Sequence, residues 1–495
     1  MIPLPALEEV TGRSQVAARI ETLLPTGVRP RQLTARTLLA GLCLTQAGGR
    51  PAHLTRVHQA LSALSEDDQV RLGVIADWRT GPHKLTCRQT EYTFGLVADT
   101  LAEDEPCGQP SQALQAICDD LLEASIPEEF KNASTSLAVD WTDLETFSRP
   151  PPARGGDCAD PEASWGHRKN NLLRSVDELF YGYYASAAIM MPGENGPPVP
   201  EFARRATVSS CRQDPVRAFV PVLTSMPGQG IPLGDIPGDS GYAHRDASAW
   251  AIPLRTAGAQ LVQDLHPHDR GPKGTHDGAV ISNGSLYCPQ TPRPLLEPGP
   301  LARTATREQA ADWERETAEL ARYKPGRLTS DDQDGYHRVQ CPAAMGKIRC
   351  PLRPASMTLD RDRPEILQPP EHPQACCTQQ TITVPPAVLA KTAQKHDYPS
   401  AAWRRSYSRR TGAERGFATA KDPATNDISR GWCRLMGLAP LMLFTTTLLI
   451  VRNQRILHAW NTRQEENQRR AAAGLPPKTR KRRRKTLAGL ATGPP

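Results

Sequence analysis

Tyr407-Ser-Arg-Arg410-Thr-Gly-Ala-Glu414-Arg-Gly-Phe-Ala-Thr-Ala-Lys421 is the stretch that decides the fold. Its spacing is Y-x2-R-x3-E-x6-K. On an α-helix, Tyr407, Arg410, Glu414 and Lys421 point to about 0°, 300°, 340° and 320°. The spacing predicts one helix face, roughly 60° wide, carrying a carboxylate, two cations and a phenol. The carboxylate suits a metal ion and the cations suit phosphates, which is the chemistry needed to cut or join a nucleic-acid backbone. Gly412 and Gly416 weaken the helix by about 1 kcal/mol each; they would also let DNA approach closely.

Such chemistry needs more than one acid. Phosphodiester hydrolysis and attack by a 3′-hydroxyl are both in-line displacements, served by two divalent ions about 3.5–4 Å apart. Mg²⁺ takes oxygen ligands and keeps several waters, so two or three carboxylates from different elements suffice. Ser136-Leu-Ala-Val-Asp140 is a short apolar run ending in an acid, as when a strand presents a carboxylate at its C-terminal edge. Asp143 is the local competitor. Gly238-Asp239-Ser-Gly-Tyr242 carries another acid at a turn, with Gly241 free to turn sharply and Tyr242 to pack behind it. The lead-in Ile231-Pro-Leu-Gly-Asp-Ile-Pro-Gly is Pro-rich, which makes Asp235 the alternative.

Together these motifs resemble the DDE transposases of bacterial insertion sequences that carry a Y-R-E-K signature. The acids come in the order Asp140, Asp239, Glu414, separated by 99 and 175 residues. The long second gap is similar to transposases with a β-rich insertion before the last acid. The resemblance spans about residues 130–455. It implies an α/β fold with an RNase H-like core, a mixed sheet flanked by helices. It implies that Asp140, Asp239 and Glu414 are catalytic and bind Mg²⁺ or Mn²⁺. Tyr407, Arg410 and Lys421 would contact double-stranded DNA at the element ends, and a homodimer would assemble on that DNA. A catalytically inactive, transposase-derived DNA-binding protein is the alternative; the presence of all three acids and Lys421 argues against it.

Charge agrees with a polyanionic partner. The net +7 hides an asymmetry: residues 401–495 hold 20 Lys and Arg against 5 Asp and Glu, and the first 400 hold 40 against 48. A basic end on a mildly acidic body suits DNA. Arg outnumbers Lys 48 to 12, which GC-rich codon usage accounts for without DNA recognition. No apolar leader opens the chain, and the twelve cysteines then point to reduced thiols or metal in a cytoplasmic, nucleoid-associated protein. The run Leu435–Val451 contains Pro440 and three threonines; it is expected as a buried helix behind the catalytic one, not as a membrane span.

The rest of the chain divides by texture. Residues 1–130 read as a helical domain, with helices at Ser14–Leu24, Leu33–Gln46, Leu54–Leu64 and Ser111–Ala124. Arg29, Arg31, Arg36 and Arg56 on or beside them would suit binding of DNA ends, or the helices are a plain bundle. Residues 131–265 form the first part of the core, with strands at Glu178–Met191, Arg217–Thr224 and Gln260–Leu265, a loop over 149–165 and a helix-like stretch at His244–Ala257. Residues 266–400 read as a β-rich insertion with an Asn283-Gly284 hairpin turn, a capping box at Thr306 and Gln309, and a strand at Thr381–Val384. Two short strands there carry cysteines. Cys341, Cys350, Cys376 and Cys377 could hold a structural Zn²⁺, with Cys288 and His337 in reserve; reduced, partly buried thiols are the alternative. Residues 401–460 complete the core. Residues 461–495 form a basic tail expected to be disordered, with seven of eight residues basic over Lys478–Lys485.

Overall fold

A computed structural model describes residues 2–26, 31–75, 84–102, 107–152, 154, 156–169, 177–302, 304–412, 414, 416, 428 and 430–478. The apolar run before Asp140 forms β1 (Leu137–Glu145), which continues five residues beyond that acid. Asp140 therefore sits inside the strand, not at its edge. β2 (Ser164–Lys169) begins at the end of the expected loop. β3 (Asp177–Met190) is the hub, because its near-continuous aromatic and small apolar sequence can be buried on both faces. It pairs antiparallel with β1, with β2 and with β4 (Ala203–Ser210). β5 (Asp235–Gly238) and β6 (Gln260–Gln263) pair in parallel. β5 runs beside β1, and the Gly234 N–H donates to the Thr135 carbonyl at 2.8 Å. The fold is α/β.

Two elements differ from expectation. Arg217–Thr224 is a helix, not a strand: Asp214 caps it by accepting from Val216 N and Arg217 N, and Pro215 occupies its first turn. Val216, Phe219, Val220 and Leu223 are its buried stripe. The missing strand is β4, whose Arg204 and Arg205 are buried in ion pairs with Glu123 at 2.8 and 3.0 Å. Over His244–Ala257 only Ala251–Thr256 is α-helical, after a 3₁₀ turn at Ala247–Ala249.

The four expected N-terminal helices are present as α2 (Val16–Leu23), α3 (Ala35–Ala47), α4 (Leu54–Ser62) and α6 (Gln112–Ala124). α1 (Leu4–Ser14) and α5 (Cys87–Ala102) join them. Their buried residues share one apolar cluster with the sheet residues Tyr183, Ala185 and Val208 and with the long helix α9 (Leu438–Ala472). α9 is buried up to Asn453 and mostly exposed beyond it. Asn453 anchors it by accepting from Ala203 N and donating to Ala203 O, both at 2.8 Å. Among the described residues, no helix is long and apolar enough to cross a membrane.

Residues 266–400 hold two small sheets. β7 (Pro272–His276), β8 (Ala279–Ser282) and β9 (Ser285–Tyr287) form one; Asn283 and Gly284 turn between the last two with φ of 49° and 77°. β10 (Gly326–Arg327), β11 (His337–Gln340) and β12 (Ile382–Val384) form the other. α7 (Arg307–Arg322) opens with the expected capping box. The cysteines lie just outside the strands: Cys288 follows β9, Cys341 follows β11, Cys350 opens a turn, and Cys376 and Cys377 sit in a short helix.

Candidate active site

Register brings the first two acids together. Asp140 lies five residues past Thr135, and Asp239 lies five past Gly234, the two residues joined between β1 and β5. Asp239 follows the end of β5, which runs beside β1, and lies near enough for its charge to act on Asp140. Asp239 caps the short helix Ser240–Ala243, its Oδ1 accepting from Gly241 N at 2.8 Å and Tyr242 N at 3.4 Å. Gly241 is required by space, not by a left-handed turn: a Cβ there would lie 2.5 Å from the Trp141 ring and 3.0 Å from Asp239 Oδ1. Tyr242 stacks edge-on to Trp141 at 4.8 Å and packs on Trp250 at 4.6 Å. Its hydroxyl is buried beside Asp140 and Asp239, with no hydrogen-bond partner among the described residues.

The third acid arrives from the C-terminal segment. α8 (Ala401–Tyr407) passes into a 3₁₀ turn at Ser408–Arg410, and Thr411, Gly412, Glu414 and Gly416 are helical again. The single helix expected from Tyr407 onward is thus interrupted, yet three of its four residues still meet. Arg410 Nη2 bonds Glu414 Oε1 at 2.5 Å, and Arg410 Nη1 lies 4.0 Å from Asp140 Oδ2. The Arg410 guanidinium is 5.7 Å from the centre of the Tyr407 ring, which stacks on Trp403 at 4.9 Å. Lys421 lies outside the described residues. Gly416 faces inward: a Cβ there would meet Ile189 at 3.3 Å and Arg452 at 3.6 Å.

The electrostatics are those of crowded acids around one cation. Burial, reinforced by Asp239 and opposed by Arg410, pushes the Asp140 carboxyl up to about 7. Burial also pushes the Tyr407 phenol up to about 12, against the pull of Arg410. The alternative acids are occupied elsewhere. Asp143 pairs with Arg168 at 3.1 Å. Asp235 is buried between Lys395 Nζ at 2.8 Å and Arg409 Nη2 at 2.6 Å. Sequence reasoning missed Arg409 and Lys395, which brace the first residue of β5, Asp235; their partner is visible only in three dimensions.

Cys341, Cys376 and Cys377 line one cavity together with Cys288, and Cys350 packs in the same apolar cluster as Cys288. His337 does not; its Nδ1 lies 3.1 Å from Asp331. Among the described residues, no three acid, imidazole or thiol groups stand close enough to one point to hold a metal as they are. In the N-terminal helices, Arg31 pairs with Glu21 and Arg36 with Glu8, both at 2.8 Å, and Arg56 bonds Gln59; Arg29 lies outside the described residues. Comparison with known protein families, characterised proteins and solved structures finds no match to this chain.

Proposed function

We propose that the chain is a DDE-type DNA transposase that cleaves and transfers DNA strands at the ends of an insertion sequence. The observation that carries the reading is Arg410 standing between Glu414, which it bonds at 2.5 Å, and Asp140, 4.0 Å away, with Asp239 near enough for its charge to act on Asp140; the three carboxylates are not drawn to one point as they stand. The spatial sequence β4-β3-β1-β5-β6, with its first three strands antiparallel and β6 parallel to β5, supports an RNase H-like core. The donor set is three carboxylates, which fits Mg²⁺ or Mn²⁺. When bound by Asp140, Asp239 and Glu414, these ions supply an activated water and stabilise the leaving oxygen.

The chain's own groups do the rest. Arg410 balances Asp140 and Glu414 while no cation does, and a DNA phosphate gives its planar fork another acceptor. Tyr407, held flat against Trp403, offers a fixed hydroxyl beside it. Lys421 adds a point charge on the same DNA. Trp141, Tyr242 and Trp250 wall the acids on the protein side and keep water from that face.

The test uses purified protein and the DNA flanking its own gene, with Mg²⁺ or EDTA, mapping strand breaks. Metal-dependent nicks with free 3′-hydroxyls at the edges of an inverted repeat are expected. Glu414→Gln should lower cleavage at least about 100-fold and leave DNA binding within about twofold. Undiminished cleavage by that variant would remove Glu414 from the site, and tight binding without any cleavage would favour the inactive relative.

A further inference from the structure

Three cysteines of the 266–400 block are each followed by proline: Cys288-Pro289, Cys341-Pro342 and Cys350-Pro351. Each opens a turn. The Cys288 carbonyl accepts from Thr291 N at 3.0 Å, that of Cys341 from Met345 N at 3.0 Å and that of Cys350 from Arg353 N at 2.9 Å. In two of them the backbone also serves the sulfur, Gln290 N–H donating to Cys288 and Leu352 N–H to Cys350. A buried thiol has little use for such donors, whereas a metal-bound thiolate does. The turns lie together: Cys288, Cys341 and Cys377 line one cavity, and Cys288, Cys341 and Cys350 share one apolar cluster.

We propose that Cys288, Cys341, Cys350 and Cys377 form a tetrathiolate site for a structural zinc ion. Four sulfurs from four separate segments match the closed, tetrahedral donor set of structural zinc. The place is where such an ion is needed. This block has two small apolar clusters, one holding Cys288 and Cys350 and the other, shared by both sheets, holding Cys376, and a cavity lined by Cys288, Cys341, Cys376 and Cys377 lies where they meet. Cys376 is left out because it serves the β7–β8 turn. Its N–H donates to Asp277 O at 2.9 Å, and a Cβ on Gly278 would sit 3.2 Å from its Sγ. As they stand the sulfurs are not at ligand distance from one point, so binding would require the turns to close on the ion. Cys341 and Cys350 lie on turns outside the strands, where such movement breaks no ladder.

The test is elemental analysis of the full chain expressed with added zinc. About one zinc per chain is expected, and cobalt exchanged for it should give the intense visible bands of tetrahedral thiolate coordination. Cys341→Ser and Cys350→Ser should lose the metal; Cys376→Ser and the exposed Cys107→Ser should keep it. If variants fail to fold, the wild-type chain still decides the matter: a chelator should expose four additional thiols to a thiol reagent. Wild-type protein with little zinc, and thiols equally reactive with or without chelator, would overturn the site. So would bound iron with sulfide. Loss of zinc in Cys376→Ser but not in Cys377→Ser would overturn the ligand set.

Discussion

Asp140 is a residue that folding would prefer uncharged. Its carboxyl titrates at about 7 in the folded chain, against about 4 in an unfolded one. The unfolded state therefore releases its proton first, and stability is lost as pH rises through that window. Asp140→Asn removes the penalty. In EDTA at pH 8 the variant should be more stable than the wild type by about 1–3 kcal/mol, with no gain at pH 4. Urea melts at the two pH values check this, and an equal shift at both would show that the effect is packing, not charge. The same variant should be inactive in cleavage, the usual conflict between stability and a functional charge.

Asp235 and Asp239 show why an element, not a motif, assigns a role. Both lie in one Pro- and Gly-rich stretch, and the motif alone favours Asp239 without excluding Asp235. What separates them is β5's neighbours: Asp235 is 6% exposed at its side chain between Lys395 and Arg409, and these come from chain more than 150 residues away. Asp235→Asn would leave two cations unbalanced, so it should cost about 3–5 kcal/mol. Denaturant melts read this directly; a loss under about 1 kcal/mol would mean the pair is solvated. Elements with local signals were legible, such as the Asn283-Gly284 hairpin, the Thr306 capping box and the aromatic β3. Arg217–Thr224 was misread because its valines and Phe219 suit either period, while the decisive signals were Asp214 as cap and Pro215 behind it. β4 was illegible because Arg204 and Arg205 look exposed until Glu123 is seen opposite them.

At the scale of the whole molecule, the candidate site is assembled by long-range pairing that a linear reading cannot see, but its three acids were legible as candidates from an apolar run, an Asp-Ser-Gly-Tyr turn and the Y-R-E-K spacing, read through a family resemblance. Charge is the other global property. The basic excess of residues 401–495 is divided by position: Arg409 and Arg410 serve the acids of the core, whereas the exposed end of α9 leads toward the run ending at Lys485. Lys478 starts that run tied to Glu466 at 2.9 Å, with its N–H on Asn467 at 3.2 Å. A chain lacking residues 479–495 loses six Lys and Arg. Each cation that meets a phosphate releases about one counterion, so the deletion should flatten the salt dependence of DNA binding by a slope of up to about 5. Affinity for unrelated DNA at low salt should fall by at least about tenfold. Nicking at the element ends should persist once protein is saturating, because Asp140, Asp239, Glu414 and Arg410 are untouched. Binding titrations over a range of salt concentrations, with specific and random duplexes, separate the contributions. An unchanged salt slope would mean that these cations do not reach DNA, and loss of nicking at saturation would mean that the tail helps to build the site.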